Sequence, residues 1–476
     1  MRVVSLLIIG GWAASASAAD WPQFRGPNGN GLSAEKLPAE WGPGKNVAWK
    51  STIPGAAWSC PIIVGDKVLV TTAVSENQPK PKSGFGGGGR PGGAPGGGRP
   101  GGGRGAPDAV YQYKLICLDR ATGKVSWEAT AQEAKPRMPT HGSNTFASET
   151  PASDGERVYA YFGNTGLYCY DLAGKSLWKK DLGAFEMMAG WGTSSSPVLH
   201  EGKVFVQCDN EQTSFLAAFD AKTGEELWRK ARAEKSGWST PYIWRTKGRT
   251  DLVAIGGQKA RGYNPADGAV LWELAVGGGQ CSASPVSDED HLYLGTGSGG
   301  GGRPGGGAPP GGGAPQGGGN APFGGNRMGG GGTMFAVNAG ATGDITPKAG
   351  EASSPGVAWT VPKVWPAAAS PLAYRGKVYL LDRQGGMVSC YDAKTGKADY
   401  AKERIPLAKA FWASPWADDG KVFCLDEDGQ THVLKAGPAF DVLAVNKLDK
   451  ELFWATPAAA GGALFVRGLD SLYCVK

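Results

Sequence analysis

Adjacent cysteines and long apolar runs are absent from this 476-residue chain, and histidine is scarce. No apolar run reaches the roughly 18 residues a transmembrane helix requires, so no integral membrane segment is read. The four histidines (His141, His200, His291, His432) are scattered without metal-ligand spacing. Glycine is abundant at 78 residues, yet no Gly-X-Y period runs through the chain, which excludes collagen. Acids are missing from two Gly/Pro-rich stretches, Asn77–Pro107 and Ser298–Gly332, which carry five and two basic residues. Without those seven the formal charge falls from +6 to −1. The basic balance therefore belongs to these stretches and not to a folded basic face, and nucleic acid is not a partner on this reading.

What is present points to β-structure. Apolar residues make up 41%, too many for wholesale disorder, and 33 prolines and 17 tryptophans accompany the glycines. Arg2, the apolar run Val3–Ala14 and the small residues Ser15–Ala19 read as a signal peptide over 1–19. No cysteine follows that region, so a lipid anchor is not indicated. A periplasmic or secreted location is expected.

One pattern recurs eight times: small residues, a proline, an apolar strand, a Gly or Asp turn and a second apolar strand. The prolines are Pro61, Pro151, Pro197, Pro241, Pro285, Pro371, Pro415 and Pro457, at intervals of 90, 46, 44, 44, 86, 44 and 42. The two long intervals hold the Gly-rich stretches. Each unit supplies strands A and B, then a strand C ending in Asp or Asn, then Thr-Gly or Ala-Gly and a strand D with an aromatic. Those aromatics are Trp127, Trp178, Trp228, Trp272, Trp359 and Tyr400 and read as outer-strand packing. Four antiparallel strands at this period are propeller blades. The chain ends after strand C of unit eight, while Val47–Lys50 resembles a strand D with nothing before it. The expectation is an all-β, eight-bladed propeller spanning 47–476, closed by that N-terminal strand. Residues 20–46 are an extension, and 77–107 and 298–332 are disordered inserts.

The segment Asp220–Trp228, with variants at Asp119–Trp127 and Asp171–Trp178, resembles the pyrroloquinoline-quinone (PQQ) repeat. That family includes eight-bladed quinoprotein alcohol dehydrogenases and BamB-like outer-membrane assembly proteins. Trp21–Pro27 resembles the opening of secreted PQQ-repeat proteins of planctomycete type. WD40 is the rival propeller, but its Gly-His and Trp-Asp marks do not recur. Resemblance to the dehydrogenases implies a vicinal disulfide against the quinone, a carboxylate base after a Gly-Thr-Gly strand end, and an Arg within an Asp-Arg-x-Gly turn. No cysteines are adjacent here. Gly295-Thr296-Gly297 is followed by no acid before Asp344. Asp382-Arg383-Gln384-Gly385 alone matches, which makes Asp382 and Arg383 weak cofactor candidates. Neither PQQ nor calcium is expected, and no catalytic or metal residue is assigned.

Cys117, Cys169, Cys390 and Cys474 share one strand C position, where other units have Ala218, Gly262 and Ala336, and read as packed thiols. The state of Cys60, Cys208, Cys281 and Cys424 stays open. Asp288–Asp290 and Asp426–Asp428 read as solvated acidic turns. Three residues before each marked proline stand Trp58, Ser148, Ser194, Trp238, Ser282, Ala368, Trp412 and Trp454. Strand A is innermost, so Trp58, Trp238, Trp412 and Trp454 are candidates for the channel mouth, either as a ligand platform or as inter-blade packing. His141 and Asn144, in the connection 135–148, are expected at the same mouth. The inserts, between strands B and C of units one and five, should rise from that face as positively charged tethers. The resulting reading is a non-catalytic binding or assembly scaffold whose partner is a protein or an envelope polymer. A quinoprotein-like oxidoreductase with a degenerate site and a carbohydrate-binding or carbohydrate-processing propeller are the alternatives.

Overall fold

Seven sheets of four strands and one of five, each built almost wholly from antiparallel neighbours, follow one another along the chain. The computed structural model describes residues 20–82, 106–297, 332–365, 368–383 and 385–476. The signal-peptide reading and most of both inserts lie outside the described residues. Blade one is typical: Ile62–Val64, Lys67–Val74, Tyr111–Asp119 and Val125–Ala134 pair in chain order from the axis outward. Burial falls in the same direction. Lys203–Cys208 is buried at every position but the first, whereas Val125–Ala134 has no fully buried position. Inner strands are packed on both faces and read as unbroken apolar runs; outer strands keep the alternation of a half-solvated sheet.

The last blade takes its outer strand from the other end of the chain. Val47–Thr52 pairs antiparallel with Ser471–Val475, with Trp49 opposite Cys474. Its innermost strand, Ala458–Ala460, lies beside Ile62–Val64 of blade one. Blade seven carries strands Gln430–Lys435 and Val442–Lys447 without the Thr-Gly turn or an outer tryptophan, which is why sequence did not mark them. Its acidic turn is not solvated: Asp426 is fully buried, accepts the N–H groups of Lys409, Gln430 and Asp428, and lies 3.4 Å from His432 Nε2.

The outer tryptophans reach beyond their own blades. The indole N–H groups of Trp49, Trp127, Trp178, Trp228 and Trp359 donate to backbone oxygens in the next blade's C–D turn, at 3.0–3.2 Å. That turn is shaped by its leading acid; Asp220, for example, accepts from Thr223 N and Oγ1. The glycine that follows lies flat under the ring. Trp272 departs from the rule and donates to Asp251 within its own blade. There the C–D connection of blade five sends Gly343–Asp344 alongside Val270–Ala275 as a fifth, parallel strand.

The docking makes a quantitative demand on glycine. Gly224 has φ +70°, and a Cβ there would stand 2.6 Å from the Trp178 ring. Gly202 has nearly the same φ, +71°, with open space around it. Gly202→Ala should therefore cost only the left-handed backbone strain, about 1–2 kcal/mol. Gly224→Ala should cost about 1–3 kcal/mol more from overpacking. Equal denaturation midpoints for the two variants would show that the tryptophan seat carries no such constraint.

The extension 20–46 is bonded to the propeller at several points. It crosses the face opposite the mouth, where the A–B turns lie. Trp21 bridges to Ile63, Pro22 O accepts Ser153 N–H, and Ala417 pairs with Gly31 and Ser33. Arg25 Nη2 donates to Pro371 O at 2.6 Å, and Trp41 N–H to Asn446 Oδ1. One segment thus ties blades one, two, six and seven together.

Candidate functional site

The residue before each marked proline points its side chain along the ring. Its backbone N–H donates to the side chain of its counterpart in the next blade: Cys60 to Thr150, then Ser196, Thr240, Ser284, Ser370, Ser414 and Thr456 in turn. Thr456 N–H closes the circle on Cys60 Sγ at 3.2 Å. This collar of eight contacts, each between 2.9 and 3.2 Å, surrounds the propeller axis. Seven positions are Ser or Thr because the bond needs a short acceptor at that point. Cys60 supplies a thiol instead, and all eight cysteines are buried and free, which settles the four left open.

The collar is the lower wall of a cavity of about 210 Å³ open to the mouth face. Phe24, carried by the N-terminal segment, lines it too, and the upper wall is the ring three residues before each proline. That upper ring has two unlike halves. Across blades seven, eight and one, Trp412 stacks on Trp454 at 3.9 Å and Trp454 on Trp58 at 4.7 Å. The Arg383 guanidinium lies 5.3 Å over Trp412, extending the stack into blade six. The other half is mostly hydroxyl (Ser148, Ser194, Ser282), with Trp238 among them donating its indole N–H to Gly192 O at 2.7 Å.

Five of the sequence-predicted residues, Trp58, Trp238, Trp412, Trp454 and Asn144, line this cavity, as does Arg383. The tryptophan faces are spent largely on one another, so inter-blade packing accounts for much of the cluster. His141 is not in the wall itself. It stacks on Trp191, which is, with ring centroids 4.2 Å apart. Its Nδ1 accepts Ser143 N–H, and partial burial lowers its pKa. Asp382 is not in the wall; burial raises its carboxyl above the usual range, with Lys402 offsetting part. Burial likewise lowers the Arg383 guanidinium.

Sequence reasoning missed Trp191, Phe24, Gln280 and the collar. The collar had a signal, Ser or Thr before seven of the eight prolines not being read as a ring. Trp191 and Phe24 sit in segments without strand period. Glu427 was also missed: burial pushes its carboxyl up, against the Trp412 and Trp454 indoles, which pull it partly back.

The donor set can be tested against a calcium-bound quinone. Calcium takes 6–8 oxygens with carboxylates among them. Among the described lining residues there is no carboxylate, only hydroxyls, the Cys60 thiol, the Asn144 and Gln280 amides, indoles and Arg383. These residues do not fit that arrangement. Nor do the described residues contain a group of three or more His, Cys, Asp or Glu able to hold a metal.

Both inserts attach at this mouth. Lys82 N–H donates to Gly142 O, beside His141, and Gly297 N–H to the lining residue Gln280. At the described edge of the first insert Lys80 pairs with Asp470 at 2.6 Å.

A family model described as outer membrane protein assembly factor BamB matches residues 112–302. The BamB protein of Bordetella pertussis (strain Tohama I) is 26% identical over 199 residues, 39% of this chain and 45% of the relative. The chain thus spans less than half the length of the curated relative it matches. Among solved structures, BamB from Moraxella catarrhalis superposes with a TM-score of 0.51 at 12% identity, over 75% of this chain and 90% of that one. Quinohemoprotein alcohol dehydrogenase from Comamonas testosteroni gives 0.57 at 12% identity, over 97% and 81%. At such identity these likenesses concern the fold alone.

Proposed function

Because this chain is a PQQ-like, BamB-like eight-bladed β-propeller, we propose that it acts as a non-catalytic binding or assembly scaffold in the cell envelope. The observation that carries the proposal is the mouth: an aromatic and hydroxyl cavity with no carboxylate among its described lining residues, beside which both basic inserts attach. Such a site offers stacking, hydrogen bonds and one cation, which suits recognition. It offers no general base at the axis. A dependence on PQQ or calcium is accordingly not part of this reading. A periplasmic or secreted site of action is consistent with the BamB likeness. No helix among the described residues is long and apolar enough to cross a membrane.

The partner class proposed is a protein or an anionic envelope polymer, drawn to the mouth by the basic inserts and released as salt screens them. A photo-cross-linking side chain at Gly142, where a Cβ meets open space, should capture such a partner from envelope fractions at low salt. The same probe at Asp66, on the exposed A–B turn of blade one, should not. Replacing residues 83–105 and 298–331 by short turns should leave the melting temperature unchanged and weaken capture. A stoichiometric quinone absorbance that survives desalting after incubation with PQQ and Ca²⁺, together with dye-linked alcohol oxidation, would overturn the scaffold reading.

A further inference from the structure

The collar has a capacity that ring closure does not use. In each of its seven hydroxyls the oxygen accepts the backbone N–H of the preceding blade. The O–H proton must then point elsewhere. The Thr150 and Thr456 hydroxyls flank the Cys60 thiol and act on it. Among the described residues the other five, Ser196, Thr240, Ser284, Ser370 and Ser414, donate to no protein acceptor, although they are at most 6% exposed. A hydrogen bond that such an O–H does not make forfeits about 0.5–1.5 kcal/mol. Five hydroxyls satisfied as acceptors but not as donors line one cavity around one axis.

Three arginines stand by the collar, and the carboxyls nearest its wall, Glu149 and Glu427, are both pushed toward their neutral forms by burial. Arg383 lines the same cavity. Arg25 lies on the opposite side, next to Phe24 of the cavity wall, and is 1% exposed. Its Nη2 bonds two backbone oxygens, while its Nε and Nη1 find no protein partner and no ion pair. Arg467, also 1% exposed, bonds Ser59 next to Cys60 and likewise keeps Nε and Nη2 unpartnered. No carboxylate stands among the described lining residues. Hydroxyls alone could turn either a proton or a lone pair to the lumen; this surrounding charge selects the proton.

We propose that the collar is an anion-binding site on the propeller axis, taking a small group that only accepts hydrogen bonds and enters from the tryptophan-lined mouth. The proposal goes beyond the scaffold reading and does not rest on it.

Bromide is the probe, because its anomalous scattering locates it. Crystals of the full chain soaked in sodium bromide should show a peak on the axis within hydrogen-bond reach of the collar oxygens. In solution, Cys60→Ser is the decisive variant. It keeps an acceptor for Thr456 N–H and adds an eighth hydroxyl donor, so bromide affinity measured by calorimetry should rise about tenfold. Ser370→Ala should lower it about tenfold, but it also strips the acceptor from Ser284 N–H and lowers stability, so it is the supporting arm. Bromide found only at surface side chains, water alone on the axis, or a Cys60→Ser affinity equal to that of the parent would each overturn the proposal.

Discussion

A chain that begins after Thr52 should melt far below the full protein, or not fold. The loss begins with Trp49. It is 9% exposed, its indole N–H bonds Arg120 O, and its ring covers Gly123 of blade one. Trp49→Ala alone should cost about 3–5 kcal/mol. Truncation also removes the buried Trp21, Leu37 and Trp41 and the pairing of Val47–Thr52 with Ser471–Val475, leaving that strand as an open edge. The collar remains, so the ring retains a circle of inter-blade bonds at the axis while losing its outer closure and its floor. Thermal unfolding followed by circular dichroism measures the effect. If the truncated chain melts where the full one does, the collar alone closes the ring and the assigned role of the N-terminal segment is wrong.

Stability should also fall as pH rises from about 5 to 8, and Glu149 should carry much of the fall. This side chain is 1% exposed, behind the wall formed by Ser148 and Thr150. Burial raises its carboxyl from the ordinary 4.5 to about 7, with the Thr193 hydroxyl offsetting part of the rise. A folded-state value above the unfolded one means the stabilising contribution is complete below about pH 4.5. It is lost as pH climbs through about 7, where the carboxylate must ionise without water. The full span corresponds to about 3 kcal/mol. Glu149→Gln keeps the shape and removes the ionisation. The stability of the variant minus that of the parent should therefore grow by about that amount between pH 5 and 8. Taking this difference cancels whatever the two proteins share. A difference that stays flat across the range would show that Glu149 is solvated or paired in the fold.

The candidate site was partly legible before the structure. The proline period placed Trp58, Trp238, Trp412 and Trp454 in one ring, and all four line one cavity. It left open whether they form a ligand platform or pack between blades; Trp454, sandwiched between Trp58 and Trp412, spends both faces on packing. His141, expected at the mouth, stands one layer behind the wall, stacked on the lining Trp191 from a different connection with no periodic signal. Asp426 was read as solvated because an acidic triplet in a turn usually is; its burial depends on what packs over the turn, including the His432 ring from strand Gln430–Lys435.

What the sequence determined by itself is the repeat: eight units, the proline that opens each, and the ends of several B strands, such as Lys203–Cys208 and Lys421–Leu425. These are local properties. Alternation, turn chemistry and a period near 44 residues act within one unit and are written eight times over. What only the tertiary structure decided is whatever joins units. The collar bonds link residues 42–90 positions apart, with one more bond from Thr456 back to Cys60. The cavity floor comes from an N-terminal segment that follows no repeat. Gly123, Gly174, Gly224, Gly268 and Gly396 of the C–D turns prove to be the seats of a neighbour's tryptophan. Such contacts exist only after the ring has closed, because each partner is supplied by a unit whose own sequence carries no mark of where its neighbour will stand.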